Sequence, residues 1–166
     1  TMIYSFARIG AVIRLRRDDL YVQERRLWLR LHEKGGKRHL VPCHHALEAC
    51  LTAYFEAAAI TDASAPLFQT TRRDGPRAGG AALSGKPMTQ PIVFDMVQRR
   101  CKDAGIATRV CNHTFRATGI TAYLRNGGSL ERAATIANHA SIRTTQLYDR
   151  RPDDMTLAEI ERIRLE

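Results

Sequence analysis

The chain has 166 residues, with 26 Lys and Arg against 17 Asp and Glu, a formal net charge of +9. This length suits one domain with a sizeable buried core. No apolar run approaches the roughly 18 residues of a membrane span. Its four cysteines form no Cys-x-x-Cys pair, which excludes a disulfide framework or a zinc ribbon and favours free thiols in a reducing cytoplasm. The basic charge favours a polyanionic partner.

The charge is distributed unevenly along the chain. Residues 1–45 have ten Lys and Arg against four Asp and Glu, and residues 70–117 have nine against three. Residues 149–166 reverse the sign, with four basic and six acidic side chains. If the two basic stretches meet in the fold, they form one phosphate-facing surface, although any single charge is more often only solvated.

The first half of the chain predicts a helix, a small sheet and a second helix. Residues 2–13 are apolar almost all round, which predicts one buried helix. Residues 20–42 predict three short strands, because leucines alternate there with other side chains at a period of two. The Gly35-Gly36 pair supplies the positive φ angles of a tight turn between the last two strands. Residues 44–59 have a single apolar face and predict a helix.

The second half predicts mostly helices. Residues 71–87 are rich in Gly, Pro and Arg without periodicity, which predicts a mobile loop. Four helices are predicted after it, over residues 89–104, 113–126, 129–138 and 141–148. A capping-box pattern starting at Thr156 predicts a final helix within the tail, residues 153–166. The predicted fold class is therefore α+β, mainly α with a small antiparallel β-sheet.

One group of polar residues carries a chemical pattern. His113-Thr-Phe-Arg116 is followed by Asn138-His139 and then by Ser141-Ile-Arg-Thr-Thr-Gln-Leu-Tyr148. His113 and Arg116 are three positions apart, so they emerge on the same face of the predicted helix. Arg8 lies within an apolar segment, where a buried guanidinium needs an anion close by, either a carboxylate or a phosphate.

These residues resemble the catalytic core of the tyrosine recombinases, the integrase family. The family has a His-x-x-Arg box, then a Gly-His or similar pair, then a Ser-x-x-Thr-Thr-x-x-Tyr stretch. Two further elements lie upstream in the family's order. Ser5-Phe-Ala-Arg8-Ile-Gly resembles the box of the first active-site arginine, and residues 32–42 resemble the β-hairpin that delivers the active-site lysine. The resemblance runs from residue 4 to about residue 150.

The resemblance implies cleavage of DNA without a metal or ATP. The implied catalytic residues are Arg8, Lys34, His113, Arg116, His139 and Tyr148. Tyr148 would attack the phosphodiester, and the phosphotyrosine would conserve the bond energy for religation. The two arginines would donate to the non-bridging oxygens in a planar geometry that lysine cannot copy. Lys34, with Lys37 as the local alternative, would protonate the leaving 5′-oxygen, and the histidines would assist proton transfer or hold the phosphate.

The resemblance also implies a wider setting. The chain would be a single catalytic domain, residues 1–166, of a longer site-specific recombinase or integrase, without the N-terminal core-binding domain of the family. The complete protein would act on double-stranded DNA as a homotetramer spanning two sites, with no cofactor and no membrane partner, in the cytoplasm with the nucleoid. The isolated domain is expected to bind DNA weakly and with steep salt dependence.

Three positions depart from the family pattern. Ala11 stands where many relatives carry an acidic residue, Ala117 where histidine is frequent, and Asn138 where glycine is usual. A carboxylate from elsewhere in the chain could orient Arg8 instead. Ala11 and Asn138 leave open a catalytically silent DNA-binding accessory protein on the same fold. Relaxation of DNA in the manner of type IB topoisomerases is a second alternative.

A metal site is not expected. Cys43-His44-His45 places three metal-ligating residue types in a row, but adjacent side chains rarely point at one ion. A junction between a strand and a helix explains this segment without a metal.

Overall fold

The computed structural model describes residues 1–73 and 81–151. It begins with two short helices, α1 (Met2–Ser5) and α2 (Ile9–Val12). The prediction of one continuous helix over residues 2–13 was therefore wrong. Phe6 adopts a left-handed conformation with φ 51°, and Arg8 is extended. The break directs the Phe6 side chain into the core, where it is 5% exposed, and this tertiary packing outweighs the apolar pattern of the segment.

The three predicted strands form one antiparallel sheet, in the order β1-β2-β3. The strands are β1 (Leu20–Gln23), β2 (Arg26–His32) and β3 (Arg38–Pro42). Leu29 and Leu31 of β2 are fully buried, as their alternation predicted. A single 3₁₀ turn, Lys34–Gly36, joins β2 to β3, and its two glycines have φ values of 78° and 74°. The predicted glycine turn is thereby confirmed.

A second antiparallel pair lies in the segment predicted to be a mobile loop. Its strands are β4 (Gln69–Arg73) and β5 (Ala81–Pro87). The loop prediction for residues 71–87 was therefore wrong at both ends, while residues 74–80 lie outside the described residues. The strands are held by a backbone ladder and by the paired hydroxyls of Thr70 and Ser84, rather than by an alternating apolar pattern.

Five further α-helices follow the first two in the described fold. They are α3 (His45–Ala58), α4 (Gln90–Asp103), α5 (Asn112–Arg125), α6 (Leu130–Ile136) and α7 (Ile142–Gln146). Each matches a predicted helix to within two residues at either end. Serine hydroxyls cap α6 and α7, because Ser129 accepts from the backbone of Arg132 and Ser141 from that of Arg143. The helix predicted from Thr156 lies outside the described residues. The α+β fold class is confirmed.

The core has two parts that meet at the break after α1. One part joins α2, the sheet and α3, and includes Ala7, Ala11, Leu29, Leu31 and Leu51. The other joins α5 and α6, and includes Phe6, Ile120, Leu124, Ala133 and Ala137. Two successive residues thus pack in different parts of the core, since Phe6 lies in the part with α5 and α6 and Ala7 lies in the part with the sheet. Arg8 follows directly, so it stands where the two parts of the core meet.

In the described part of the chain, no helix combines the length and apolarity needed to cross a bilayer. Within residues 1–73 and 81–151, no group of three or more His, Cys, Asp or Glu side chains is arranged to hold a metal ion.

Candidate active site

A cavity of about 620 Å³ opens between α2, the β2–β3 turn and the start of α5. Its charged and imidazole-bearing lining residues are Arg8, Arg14, Glu33, His113 and Arg116. Three arginines face one carboxylate here, so the cavity is suited to an anion. The two basic stretches of the sequence therefore meet, because Arg8 and Arg14 come from the first and Arg116 from the second.

Tyr148 closes one side of this cluster. Its hydroxyl oxygen lies 2.7 Å from Nε2 of His113, and its ring stacks on that of His139, with centroids 5.9 Å apart and planes 12° apart. The backbone carbonyl of Tyr148 accepts a hydrogen bond of 3.0 Å from the hydroxyl of Thr121 on α5. Tyr148 is therefore held at its backbone, ring and hydroxyl.

Arg116 is 1% exposed, and its guanidinium is fixed by backbone carbonyls. Nη1 donates to the carbonyl of Phe6, and Nη2 donates to that of Ala137 at 2.6 Å. Burial and, after it, the nearby charge of Arg8 lower the pKa of Arg116, while the hydroxyl of Tyr148 acts in the opposite direction. The left-handed turn at Phe6 thus has a second consequence, because it aims a carbonyl at this guanidinium.

Arg8 forms an ion pair with Glu33. Nη1 of Arg8 lies 3.1 Å from Oε2 of Glu33, and the side chains are 50% and 6% exposed respectively. Arg8 is the residue that precedes the first turn of α2, and its backbone is extended rather than helical. Ala11, which stands where the family often has an acidic residue, is buried and lines the same cavity. The carboxylate beside Arg8 therefore comes from the β2–β3 turn.

His139 is neutral at pH 7. Burial first, and then the positive charges of Arg116 and Arg8, lower the pKa of His139 to about 4. Its Nδ1 lies 2.8 Å from the hydroxyl of Thr145, which is fully buried on α7. Asn138 before it has φ 48°, a left-handed conformation that asparagine tolerates better than most non-glycine residues. The asparagine in place of the usual glycine is thus compatible with the turn that presents His139.

Lys34 is placed by its backbone at the first position of the 3₁₀ turn. Its neighbours Glu33 and Gly35 both line the cavity. The N–H of Glu33 donates to the carbonyl of Lys37 at 2.8 Å, which closes the turn. The predicted role of the Lys34 side chain lies outside what the structure describes, and Lys37 is exposed.

Five of the six predicted residues thus form one connected cluster, and three further residues join it that the sequence analysis did not single out. These are Arg14, Glu33 and Thr145. Arg14 lines the cavity while its Nη2 donates to the carbonyl of His32 at 2.6 Å. Glu33 directly precedes Lys34, and Thr145 belongs to the Ser-x-x-Thr-Thr stretch. The sequence signal for Glu33 and Thr145 was their position next to Lys34 and within the stretch that ends at Tyr148.

The model of the phage integrase family matches residues 1–154. The chain belongs to this family. Among curated relatives, the tyrosine recombinase XerD of Mycobacterium tuberculosis (strain CDC 1551 / Oshkosh) is 28% identical over 153 residues, covering 89% of this chain and 45% of the relative. XerD of Staphylococcus aureus (strain N315) is 27% identical over 121 residues, covering 73% and 38%. This integrase-family chain thus spans less than half the length of these relatives.

Solved structures show the same fold. The XerA recombinase matches with a TM-score of 0.72 and 28% identity, covering 92% of this chain and 50% of that one. The integrase of transposon Tn1549, solved with circular intermediate DNA, matches with a TM-score of 0.66 and 19% identity, covering 98% and 55%. The catalytic domain of bacteriophage HP1 integrase matches with a TM-score of 0.55 and 17% identity, covering 89% and 68%. The predicted catalytic-core fold is therefore confirmed.

Proposed function

We propose that this integrase-family chain is the catalytic domain of a site-specific recombinase that cuts and rejoins double-stranded DNA through a 3′-phosphotyrosyl intermediate. The observation that carries the proposal is the 2.7 Å contact between His113 and Tyr148, beside a cavity lined by Arg8 and Arg116. A nucleophile hydrogen-bonded to a base and next to fixed cations is the arrangement that transfer of a phosphodiester requires.

In the proposed first step, the Tyr148 hydroxyl attacks the scissile phosphorus. A bond forms between Oη and phosphorus, the bond from phosphorus to the 5′-oxygen breaks, and the phosphoryl group stays on the 3′ end. His113 accepts the phenolic proton, and Lys34, or Lys37 instead, gives a proton to the leaving oxygen. Religation reverses these steps with the 5′-hydroxyl of another strand.

The two arginines would stabilise the charge that develops on the non-bridging oxygens. Arg116 cannot swing away, because two backbone carbonyls hold its guanidinium. Fixed donors of this kind cost no reorganisation during the reaction, and they are worth more in a site that excludes water. Arg8 is half exposed and lines the cavity, so it can reach an incoming phosphate.

His139 would act as a neutral hydrogen-bond donor. With Nδ1 accepting from the hydroxyl of Thr145, Nε2 carries the ring proton and can donate it to a phosphate oxygen. Its pKa of about 4 keeps the ring neutral, so a third positive charge is not added beside the two arginines.

The proposed chemistry needs neither a metal nor ATP. Fixed guanidinium groups supply the positive charge, and the phosphotyrosyl bond conserves the energy of the broken phosphodiester. In the complete protein we propose a homotetramer that holds two DNA sites, with this chain as one catalytic domain. The proposed place of action is the cytoplasm, on the nucleoid.

A nicked duplex tests the proposal directly. The duplex is built on a site that the complete protein selects from a random DNA library. The nick makes the released fragment, which carries the new 5′-hydroxyl, short enough to diffuse away, so that the adduct accumulates. We expect a covalent protein–DNA adduct without metal or ATP, and none with Tyr148→Phe. Tyr4→Phe, at a tyrosine that is 43% exposed and outside the cluster, is the matched control and should react like the wild type.

Two other outcomes would overturn the proposal. Binding to the selected site without an adduct in any variant would favour an accessory DNA-binding protein on the same fold. Relaxation of supercoiled plasmids that lack the selected site, at the same rate as plasmids that carry it, would favour a topoisomerase-like activity.

A further inference from the structure

We propose that Glu33 is a positioning residue that holds the guanidinium of Arg8 for the scissile phosphate and ties it to the turn that carries Lys34. This inference rests on the proposed function. It assigns a role to a carboxylate that is not one of the six predicted catalytic residues.

The burial of Glu33 is the first observation. Its side chain is 6% exposed, and Arg8 supplies the one hydrogen bond to its carboxylate among the described residues. Removing a carboxylate from water is costly unless a cation and hydrogen bonds compensate. The ion pair with Arg8 therefore compensates the burial of the Glu33 carboxylate, and the same contact fixes the guanidinium of Arg8.

The backbone of Arg8 is the second observation. Arg8 precedes the first turn of α2 in an extended conformation, directly after the break that separates α1 from α2. Ala11, one helical turn further on, has only a methyl group to offer in the same cavity. Arg8 therefore depends on Glu33 for a fixed side-chain orientation.

The charge balance of the cavity gives the third observation. Arg8 and Arg116 repel one another, and this repulsion is one of the causes that lower the pKa of Arg116. Glu33 acts on the same pKa in the opposite direction. The carboxylate thus lets two guanidiniums stay close together before DNA arrives. It contacts Nη1 of Arg8, and no other described side chain bonds to this guanidinium, so Nη2 and Nε are left for a phosphate.

The position of Glu33 in the chain links two catalytic groups of the proposed mechanism. Glu33 is the last residue before the Lys34–Gly36 turn, and its N–H donates to the carbonyl of Lys37. The ion pair with Arg8 therefore fixes one end of this turn against α2. Loss of the carboxylate should loosen Arg8 and the base of the turn together.

A double-mutant cycle between positions 8 and 33 tests the proposal, measured as the single-turnover rate of adduct formation on the nicked duplex. Glu33→Gln keeps the shape of the side chain and removes its charge, and we expect the rate to fall at least tenfold. The dissociation constant for DNA should change less than threefold, because a carboxylate gives no donor to a phosphate and the arginines of the cavity are all retained. Glu24→Gln, at an exposed acid in the β1–β2 turn, is the matched control and should keep the wild-type rate.

The Arg8→Lys background separates positioning from a general structural role. Lysine has a point charge and no planar fork to orient, so Glu33→Gln should lower the rate there by less than threefold. Glu33→Asp, which keeps the charge, should recover part of the rate lost in Glu33→Gln and shows that the position tolerates substitution.

Each contrary result has its own meaning. Two results would overturn the positioning role while leaving the proposed recombinase intact. One is a wild-type rate in Glu33→Gln. The other is an equal loss of rate from Glu33→Gln in the wild-type and Arg8→Lys backgrounds. An absence of adduct in the wild type would overturn the proposed function and this inference with it.

Discussion

Nε2 of His113 and the hydroxyl oxygen of Tyr148 lie 2.7 Å apart although 35 positions separate the two residues in the chain. The contact joins the first turn of α5 to the segment that follows α7. The ring of His139 stacks on that of the tyrosine and helps to hold it. The fold therefore delivers a hydroxyl and a base to the same edge of a cavity lined by arginine.

Replacing His113 by alanine should slow adduct formation by about 100-fold or more, which is the range of general acid–base catalysis. Among the described residues, the His113 imidazole and the Arg116 guanidinium are the hydrogen-bond partners of the Tyr148 hydroxyl. The rate is measured on the nicked duplex under single-turnover conditions. His45→Ala, at an exposed histidine of α3, is the control and should react normally. A wild-type rate in His113→Ala would remove this residue from the mechanism.

Arg116→Lys should abolish cleavage and also destabilise the fold. A lysine ammonium cannot reach the carbonyls of Phe6 and Ala137 together, so one buried acceptor loses its donor. We expect a loss of about 1–3 kcal/mol in the free energy of unfolding, measured by urea denaturation. Arg125→Lys, at the exposed end of the same helix, should change it by less than about 0.5 kcal/mol. Equal stability in Arg116→Lys and the wild type would contradict the role of the two carbonyls.

His139 should make the fold less stable as the solution becomes acidic. Its pKa is about 4 in the folded chain and has an ordinary value of 6.5 when exposed, so between these values the unfolded chain binds more protons. Its contribution is therefore complete above pH 6.5 and is lost as the pH falls toward 4. The wild type should lose more free energy of unfolding than His139→Gln on going from about pH 7 to about pH 5. Parallel losses in the two proteins would show that His139 titrates normally.

Gly119 should not tolerate alanine. A methyl group there would run into the carbonyl oxygen of Ile3, because α1 crosses α5 at this point. The overpacking should cost about 1–3 kcal/mol and exceed the gain in helix propensity. Gly10→Ala is the matched control, since its methyl group would meet its nearest neighbour, Nη1 of Arg14, at an ordinary 3.6 Å. Urea denaturation should show a loss for Gly119→Ala alone, and equal midpoints would contradict the close crossing.

The local patterns of the sequence predicted most of the secondary structure, for identifiable reasons. The alternation of Leu29 and Leu31 indicates a buried strand face, and the serines at 129 and 141 begin helices because their hydroxyls satisfy backbone N–H groups. The errors occurred where long-range contacts decide. The helix breaks at Phe6 because the Phe6 side chain packs in the core and its carbonyl accepts a hydrogen bond from Arg116. Strands β4 and β5 pair through a backbone ladder, and no apolar pattern in the sequence predicts them.

The sequence by itself determined the family resemblance and the identity of the motif residues, because short-range spacing is written directly in the chain. Tertiary structure alone decided which residues stand beside them. Glu33 is 25 positions from Arg8, and nothing in their spacing predicts an ion pair of 3.1 Å. The pKa of His139 likewise depends on burial and on two arginines distant in sequence. Electrostatic interactions act through space and fall with distance between atoms, so their partners are set only when the chain has folded.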